Sequence, residues 1–282
     1  MFECFGPQLG QIKFDLEPMK FNHKLADHPA LGLESLSKAL PELPKHQVIF
    51  SKGNGDHKHG LRLEEAIESI KVSNSYIAVK NPEEHASFRD LFCDLEYDLT
   101  KLIKMKKKGI KAKDAMLYLV IASPNAQTPF KFDQYTNFLM QFRGSKEIAV
   151  FPPLDHRVIS AEEYEALIDH DEKRLPLNPE VDHLAQKFQF NAGEVLHVPF
   201  GSGHYMKNGS EDISISLSML FHTDETLMLT NAMRMNHHMR RRMKKLGVQP
   251  RQVGKSSHFD ALKARILPGA NLAHNIMNRF RY

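Results

Sequence analysis

The sequence predicts a mainly β protein with flanking helices, its strands forming a barrel or sandwich. Short β-type runs separated by Pro, Gly, Asn or Asp crowd the stretch from Ala115 to Phe221, whereas the part before it carries helical periodicity. The run Ile213–Phe221 alternates cleanly, with Ile213, Ile215, Leu217 and Met219 on one face and Ser214, Ser216 and Ser218 on the other. With 282 residues, 41% of them hydrophobic, the chain is long enough to bury a sizeable core.

Taken in order, residues 1–60 hold scattered Pro and Gly, a short helix pattern at Leu33–Leu40 and an apolar run Val48-Ile49-Phe50 before the turn-rich Gly53-Asn54-Gly55-Asp56. Leu61–Ile70 reads as a short helix and Tyr76–Val79 as a strand. Glu83–Lys107 spaces Phe88, Leu91, Phe92, Leu95, Leu99, Leu102 and Ile103 by threes and fours, which predicts one long amphipathic helix ending before Gly109. Its basic end, Lys104 to Lys108, suits the negative pole of a helix. Strands are then expected at Met116–Ala122, Asn137–Arg143, Glu147–Phe151, Lys187–Phe190, Val195–Val198, His204–Asn208 and Ile213–Phe221, with a small helix at Ala161–Ile168. Finally Met228, Ala232, Met235, Met239, Met243 and Leu246 form a helical stripe, expected to pack on the body or across a homodimer interface. Three segments follow: an N-terminal buttress over 1–114, a β core over 115–222 and a basic helical segment over 223–282.

Charge and composition exclude several classes of function. The formal net charge is +4, but from Glu225 onward twelve Lys or Arg face two acidic residues, so a mildly acidic body carries a basic tail. Arg240–Arg242 supply positive charge without interleaved aromatics or a reading motif, so nucleic acid is not the expected partner. Cys4 and Cys93 offer neither a disulfide framework nor a cysteine zinc site. No apolar stretch is long enough to span a membrane and the first residues lack secretory-signal character, so a soluble, cytoplasmic protein is expected. Gly53-Asn54-Gly55 is not followed by a phosphate-loop pattern, and no G-x-S-x-G serine-hydrolase motif occurs.

The densest chemistry lies in two separated blocks. The first runs Thr128-Pro129-Phe130-Lys131-Phe132-Asp133 through Asn137, Gly144 and Lys146 to Phe151-Pro152-Pro153; the second is Gly193-Glu194-Val195-Leu196-His197-Val198-Pro199 through His204. In order and spacing they resemble the cupin-like jumonji (JmjC) family of iron(II)- and 2-oxoglutarate-dependent oxygenases over about Ala115–Phe221. The resemblance implies a double-stranded β-helix, a cupin or jelly-roll barrel, whose mouth holds Fe(II) on two His and one carboxylate. It implies hydroxylation of a protein, peptide or small-molecule substrate with 2-oxoglutarate as cosubstrate. By motif position Asp133 and His204 are metal ligands, Lys146 and Thr128 bind the cosubstrate, Asn137 is a polar neighbour and Ser218 takes a place often filled by Asn. The family's frequent C-terminal dimers agree with the expected homodimer.

One position departs from the pattern: Lys131 stands where the first histidine ligand belongs. An ammonium has no lone pair to donate. Three arrangements stay open: a deprotonated Lys131 on the metal, a metal held by Asp133, His204 and water or another side chain, or an ammonium that pairs with Asp133 in a metal-free pocket. The last makes the barrel a catalytically inactive binding or regulatory module. Of the other histidines, His197 reads as a packed strand residue, His222 as solvent-facing, and His237 and His238 as a polar helix face; His57 and His59 flank a turn and give little sign of a metal site.

Overall fold

The computed structural model describes residues 2–52, 56–57, 70, 75–169, 176–243 and 250–266. The helix expected over 61–70, save Ile70, His59, and the last helix beyond Met243 lie outside these residues.

Two antiparallel sheets face each other. The larger runs β1 (Met19–Asn22), β10 (Glu194–Val198), β7 (Thr136–Arg143), β12 (Ser214–His222), β5 (Lys113–Ala122), β4 (Ser75–Lys80), β2 (Val48–Lys52) and β3 (Asp56–His57). The smaller runs β6 (Gln127–Phe132), β11 (Gly203–Asn208), β8 (Ser145–Val150) and β9 (Gln186–Asn191). From β5 to β12 the chain crosses between the sheets at every step except from β8 to β9, which pair with each other, and this is the winding of a double-stranded β-helix. The expected fold is therefore present, with one extension. β1 pairs with β10 and β4 with β5, so residues before 114 lengthen the larger sheet as well as cover it.

Strand alternation sorts the side chains into two cores. The outer face of the larger sheet carries Leu117, Leu119 and Ile121, then Phe138 and Met140, then Ile215, Leu217 and Met219. Against it lies the long helix, α2 (Ala86–Met105), which follows the short α1 (Leu33–Ala39). The 3/4 spacing read from sequence is the buried face of α2: Phe88, Leu91, Leu95, Leu99, Leu102 and Ile103 are all fully enclosed. Asp98 interrupts this apolar face and is also fully buried, accepting hydrogen bonds from the backbone N–H of Glu3 at 3.0 Å and Cys4 at 2.8 Å. A buried carboxylate thus fixes the N-terminal segment to the helix. Inside the barrel, Leu139, Ile148, Val150, Phe190, Leu196 and Val198 form the second core.

Two further helices close one flank: α3 (Ala161–Ile168), started by a Ser160/Glu163 capping box, and α4 (Asp224–Met243). Here the structure shifts the expected packing. α4 buries Thr226, Thr230, Ala232, Met233 and Asn236, whereas Met228, Met235 and Met239 stay half-buried at the side of that arc. Asn236 is satisfied there, its Nδ2 donating to Glu165 Oε1 on α3 at 2.7 Å, and Arg240 Nε donates to Glu165 Oε2 at 2.7 Å. His222 is a second correction: it is buried, its ring lying 4.6 Å from that of Tyr135, because β12 carries it under the start of α4. Among the described residues no helix is long and apolar enough to cross a membrane.

Candidate functional site

Residues directly opposed on neighbouring antiparallel strands share a face of the sheet. β11 opposes His204 to Lys131 on β6 and to Val150 on β8, and opposes Met206 to Thr128 and Ile148. Ile148 and Val150 belong to the inner core, so both rows point into the barrel. The register of β6 against β11 shifts between these rows: three steps separate Thr128 from Lys131 where two separate Met206 from His204. Without that bulge the period of two would send Thr128 and Lys131 to opposite faces. On the other side of β11, a Cβ at Gly203 would sit 2.7 Å from the Phe130 ring and 2.9 Å from that of Phe132. Glycine there lets the aromatic pair close beneath His204.

Around Asp133 four expected residues meet. Lys131 Nζ donates to Asp133 Oδ1 at 3.1 Å, Asn137 Nδ2 donates to Asp133 Oδ2 at 3.3 Å, and His204 Nε2 stands 3.7 Å from the same Oδ2. The Lys131 side chain keeps 46% of its surface accessible against 17% for Asp133, so the lysine is the open member of the pair. Asp133 holds Lys131 in its charged form, above the ordinary lysine range. Burial alone would raise the Asp133 carboxyl, but Lys131, His204 and the hydrogen bonds from Lys131 and Asn137 overcome it and bring the group to about 2. His204 goes the other way: burial lowers it to about 4 despite the neighbouring carboxylate, so its imidazole is neutral at neutral pH.

Lys146 occupies the far end. On β8 it opposes Asn208 on one side and Phe190 on the other, and it points inward with only 4% of its surface exposed. Its Nζ donates to Ser216 Oγ at 2.9 Å and lies 3.9 Å from Met206 Sδ. Burial, with a smaller push from the Lys131 ammonium, brings it down to about 7. Ser218 lies two residues on, on the same face of β12, but Ser216 makes the bond to Lys146. Ser216 is therefore a site residue that motif position misses, although the alternation of β12 already places it with Ser214 and Ser218. Tyr118 on β5 opposes Ser218; burial raises its hydroxyl, and the charges of Lys131 and Asp133 reach it. Motif reading gives no sign of Tyr118 or Met206.

Three other histidines lie against acidic or carbonyl groups. His197 is fully buried, with Nδ1 3.1 Å from the Glu17 carbonyl and Nε2 3.7 Å from Asp15 Oδ1. His237 and His238 both lie within 3.8 Å of Asp169.

The donor set can be tested against the implied iron. A facial triad needs three lone-pair donors on one side of the metal. Asp133 and His204 converge, but the third direction belongs to an ammonium already held by Asp133. Among the described residues no group of three His, Cys, Asp or Glu side chains is arranged to hold a metal ion. These residues do not fit an iron centre.

The fold and this inward-facing site define a cupin-type barrel. The family profile for a cupin-like domain matches residues 42–226, and the chain belongs to that family. Among solved structures, the Escherichia coli protein YcfD superposes with a TM-score of 0.53 at 14% identity, covering 97% of this chain and 69% of that one. A second structure, of the E. coli ribosomal oxygenase YcfD, gives 0.51 at 12% identity, covering 96% and 68%. A third, of YcfD with cobalt and succinic acid, gives 0.50 at 13%, covering 94% and 66%. The similarity is one of fold, and this chain spans about two thirds of the YcfD chain's length. No curated protein sequence matches the chain.

Proposed function

We propose that this chain is an iron-independent binding module on the oxygenase barrel, one that takes a small acidic ligand between Lys131 and Lys146. The observation that carries this reading is the 3.1 Å contact between the Lys131 ammonium and Asp133, which puts a fixed positive charge where a metal would otherwise balance the carboxylate. Two inward lysines share the cavity with one such carboxylate, so it can accept a ligand's negative charge without a second cation. Asn137 and His204 hold Asp133 from its other side, and Thr128 and Met206 line the space toward Lys146. A dicarboxylate of the 2-oxoglutarate class matches this distribution of charge.

The test is a paired titration of wild type and Lys131→His with iron(II) and 2-oxoglutarate. Wild type is expected to bind the acid with no iron requirement and to show no stoichiometric iron, whereas the substitution restores a third lone-pair donor and raises iron affinity. Tight stoichiometric iron with 2-oxoglutarate turnover by the wild type would overturn the proposal and favour the hydroxylase implied by the sequence resemblance.

A further inference from the structure

From Lys101 to Lys113 the chain carries seven lysines and no acidic residue before Asp114. The negative pole of a helix favours cations only over its last turn, so it accounts for Lys104 near the end of α2 at Met105 but not for the lysines that follow. Four of the seven have partners. Lys101 lies over the Phe2 ring, Lys106 Nζ donates to the Gly10 carbonyl at 2.9 Å, Lys108 pairs with Glu225, and Lys113 Nζ lies 3.5 Å from Asp224 Oδ1. Lys104, Lys107 and Lys111 are exposed, and they form no ion pair among the described residues.

The turn after α2 holds these lysines out. Lys107 takes a φ of +55°, the left-handed position at a helix end that glycine adopts freely and lysine only at a cost. From behind, α4 fixes the turn: the Asp224 N–H donates to the Lys108 carbonyl at 3.1 Å, and a Cβ at Gly109 would run into the Asp224 carboxylate. Ile110 follows and is 72% exposed, the most open large hydrophobic residue among those described, while Met105 is 50% exposed. Leu16, at 68%, stands at the same end of the larger sheet. There β5 begins at Lys113 opposite His222, Phe221 faces Thr136, and Thr136 Oγ1 donates to Asp15 Oδ1 at 2.8 Å.

We propose that this turn docks on an anionic phospholipid bilayer, with Lys104, Lys107 and Lys111 among the headgroups and Ile110 and Met105 entering the acyl boundary. Each lysine near such a surface strengthens binding about fivefold, and an aliphatic side chain gains by leaving water for the acyl boundary. The stretch from Lys101 to Lys113 has no arginine to fork onto phosphates and no aromatic ring to stack on bases, which sets it apart from a nucleic-acid site. A projecting isoleucine also suits a fluid bilayer better than an acidic protein, because the protein would have to supply a matching pocket.

The test is flotation of the full chain with vesicles of phosphatidylcholine alone and of phosphatidylcholine mixed with phosphatidylglycerol, at low and at high salt. Binding is expected only to the mixed vesicles and should fall as salt screens the exposed charges. Changing Lys104→Gln, Lys107→Gln and Lys111→Gln together should weaken it by on the order of a hundredfold. Lys107→Gly relieves the backbone, so this variant should melt at a higher temperature and yet bind about fivefold more weakly, which a merely structural lysine would not do. The chain contains no tryptophan, so Ile110→Trp adds a single reporter. Its emission should shift to the blue on mixed vesicles and be quenched by brominated acyl chains, whereas Tyr97→Trp, at a 60% exposed position earlier on α2, should keep its spectrum. No flotation at low salt, equal flotation of wild type and the triple variant, uptake by neutral vesicles or an unshifted Ile110→Trp spectrum would overturn the proposal. Tighter binding to an oligonucleotide or to polyglutamate than to the mixed vesicles would also overturn it, assigning the lysines to a nucleic acid or an acidic protein.

Discussion

The smaller sheet presents two inward-facing lysines, and their surroundings treat them oppositely. Lys131 is open at the mouth, 46% accessible, and Asp133 keeps it charged. Lys146 is closed in at the far end, faces a hydroxyl and a thioether, and titrates at about 7. The residue type is the same on the same small sheet, so the difference comes from burial and from whether a carboxylate is within reach. One end is built to hold a charge and the other to give one up.

The sharpest way to break this contrast is Lys146→Met. Because the folded group titrates near 7 and an unfolded lysine near 10.4, the unfolded chain binds the extra proton between those values, and wild-type stability rises with pH across that window. Below pH 7 the native state carries the whole penalty of an unpaired buried ammonium. Replacing it with a thioether of similar length should stabilise the protein by a few kcal/mol, roughly 4 to 5 at most, at pH 6, and by almost nothing above pH 10. Urea midpoints at the two pH values measure this. A loss of stability at pH 6 would mean that Lys146 has a charged partner and that the two ends are alike.

Asp133→Asn attacks the other end. The carboxyl is depressed to about 2, so its contribution is present above the unfolded value near 3.9 and is lost as pH falls through 2. Lys131 is nearly half exposed, which screens the pair, so the substitution should cost only about 1 kcal/mol at pH 7 and nothing near pH 2. Equal urea midpoints of wild type and variant at pH 7 would show that the ion pair adds no stability. The lysine would then be merely resting at the mouth.

How much of this was legible in the sequence follows from how local each feature is. The long helix is written in the spacing of Phe88 through Ile103, and β12 in its alternation, because each pattern records which face meets the core. Asp133, His204 and Lys131 were reachable because two motif blocks keep their order and spacing. The bulge that turns Thr128 inward was not, since it exists only in the pairing of β6 with β11. Neither was the choice of Ser216 over Ser218, which depends on the row that Lys146 reaches from another sheet. β1 was missed because a four-residue strand, Met19–Asn22, is too short to show a period and is fixed by pairing with β10.

The smallest expected effect lies on α4, where the same distinction between a satisfied and an unsatisfied face recurs. Its buried arc is anchored by Met233 in an apolar cluster and by Asn236 and Arg240 on Glu165, whereas Met228, Met235 and Met239 lie half-buried beside it. Met233→Ala removes packed volume and should cost about 2 kcal/mol or more. Met239→Gln removes little that the folded chain encloses and should change stability by no more than about 0.5 kcal/mol. If the stripe joins two copies, as the sequence pattern predicts, the same mild substitution has a larger effect on assembly: light scattering at micromolar concentration should give a dimer for the wild type and a monomer for Met239→Gln. A wild type that runs as a monomer would make the methionines an ordinary shoulder of the helix. A Met239→Gln chain that loses as much stability as Met233→Ala would instead place the stripe in the folding core.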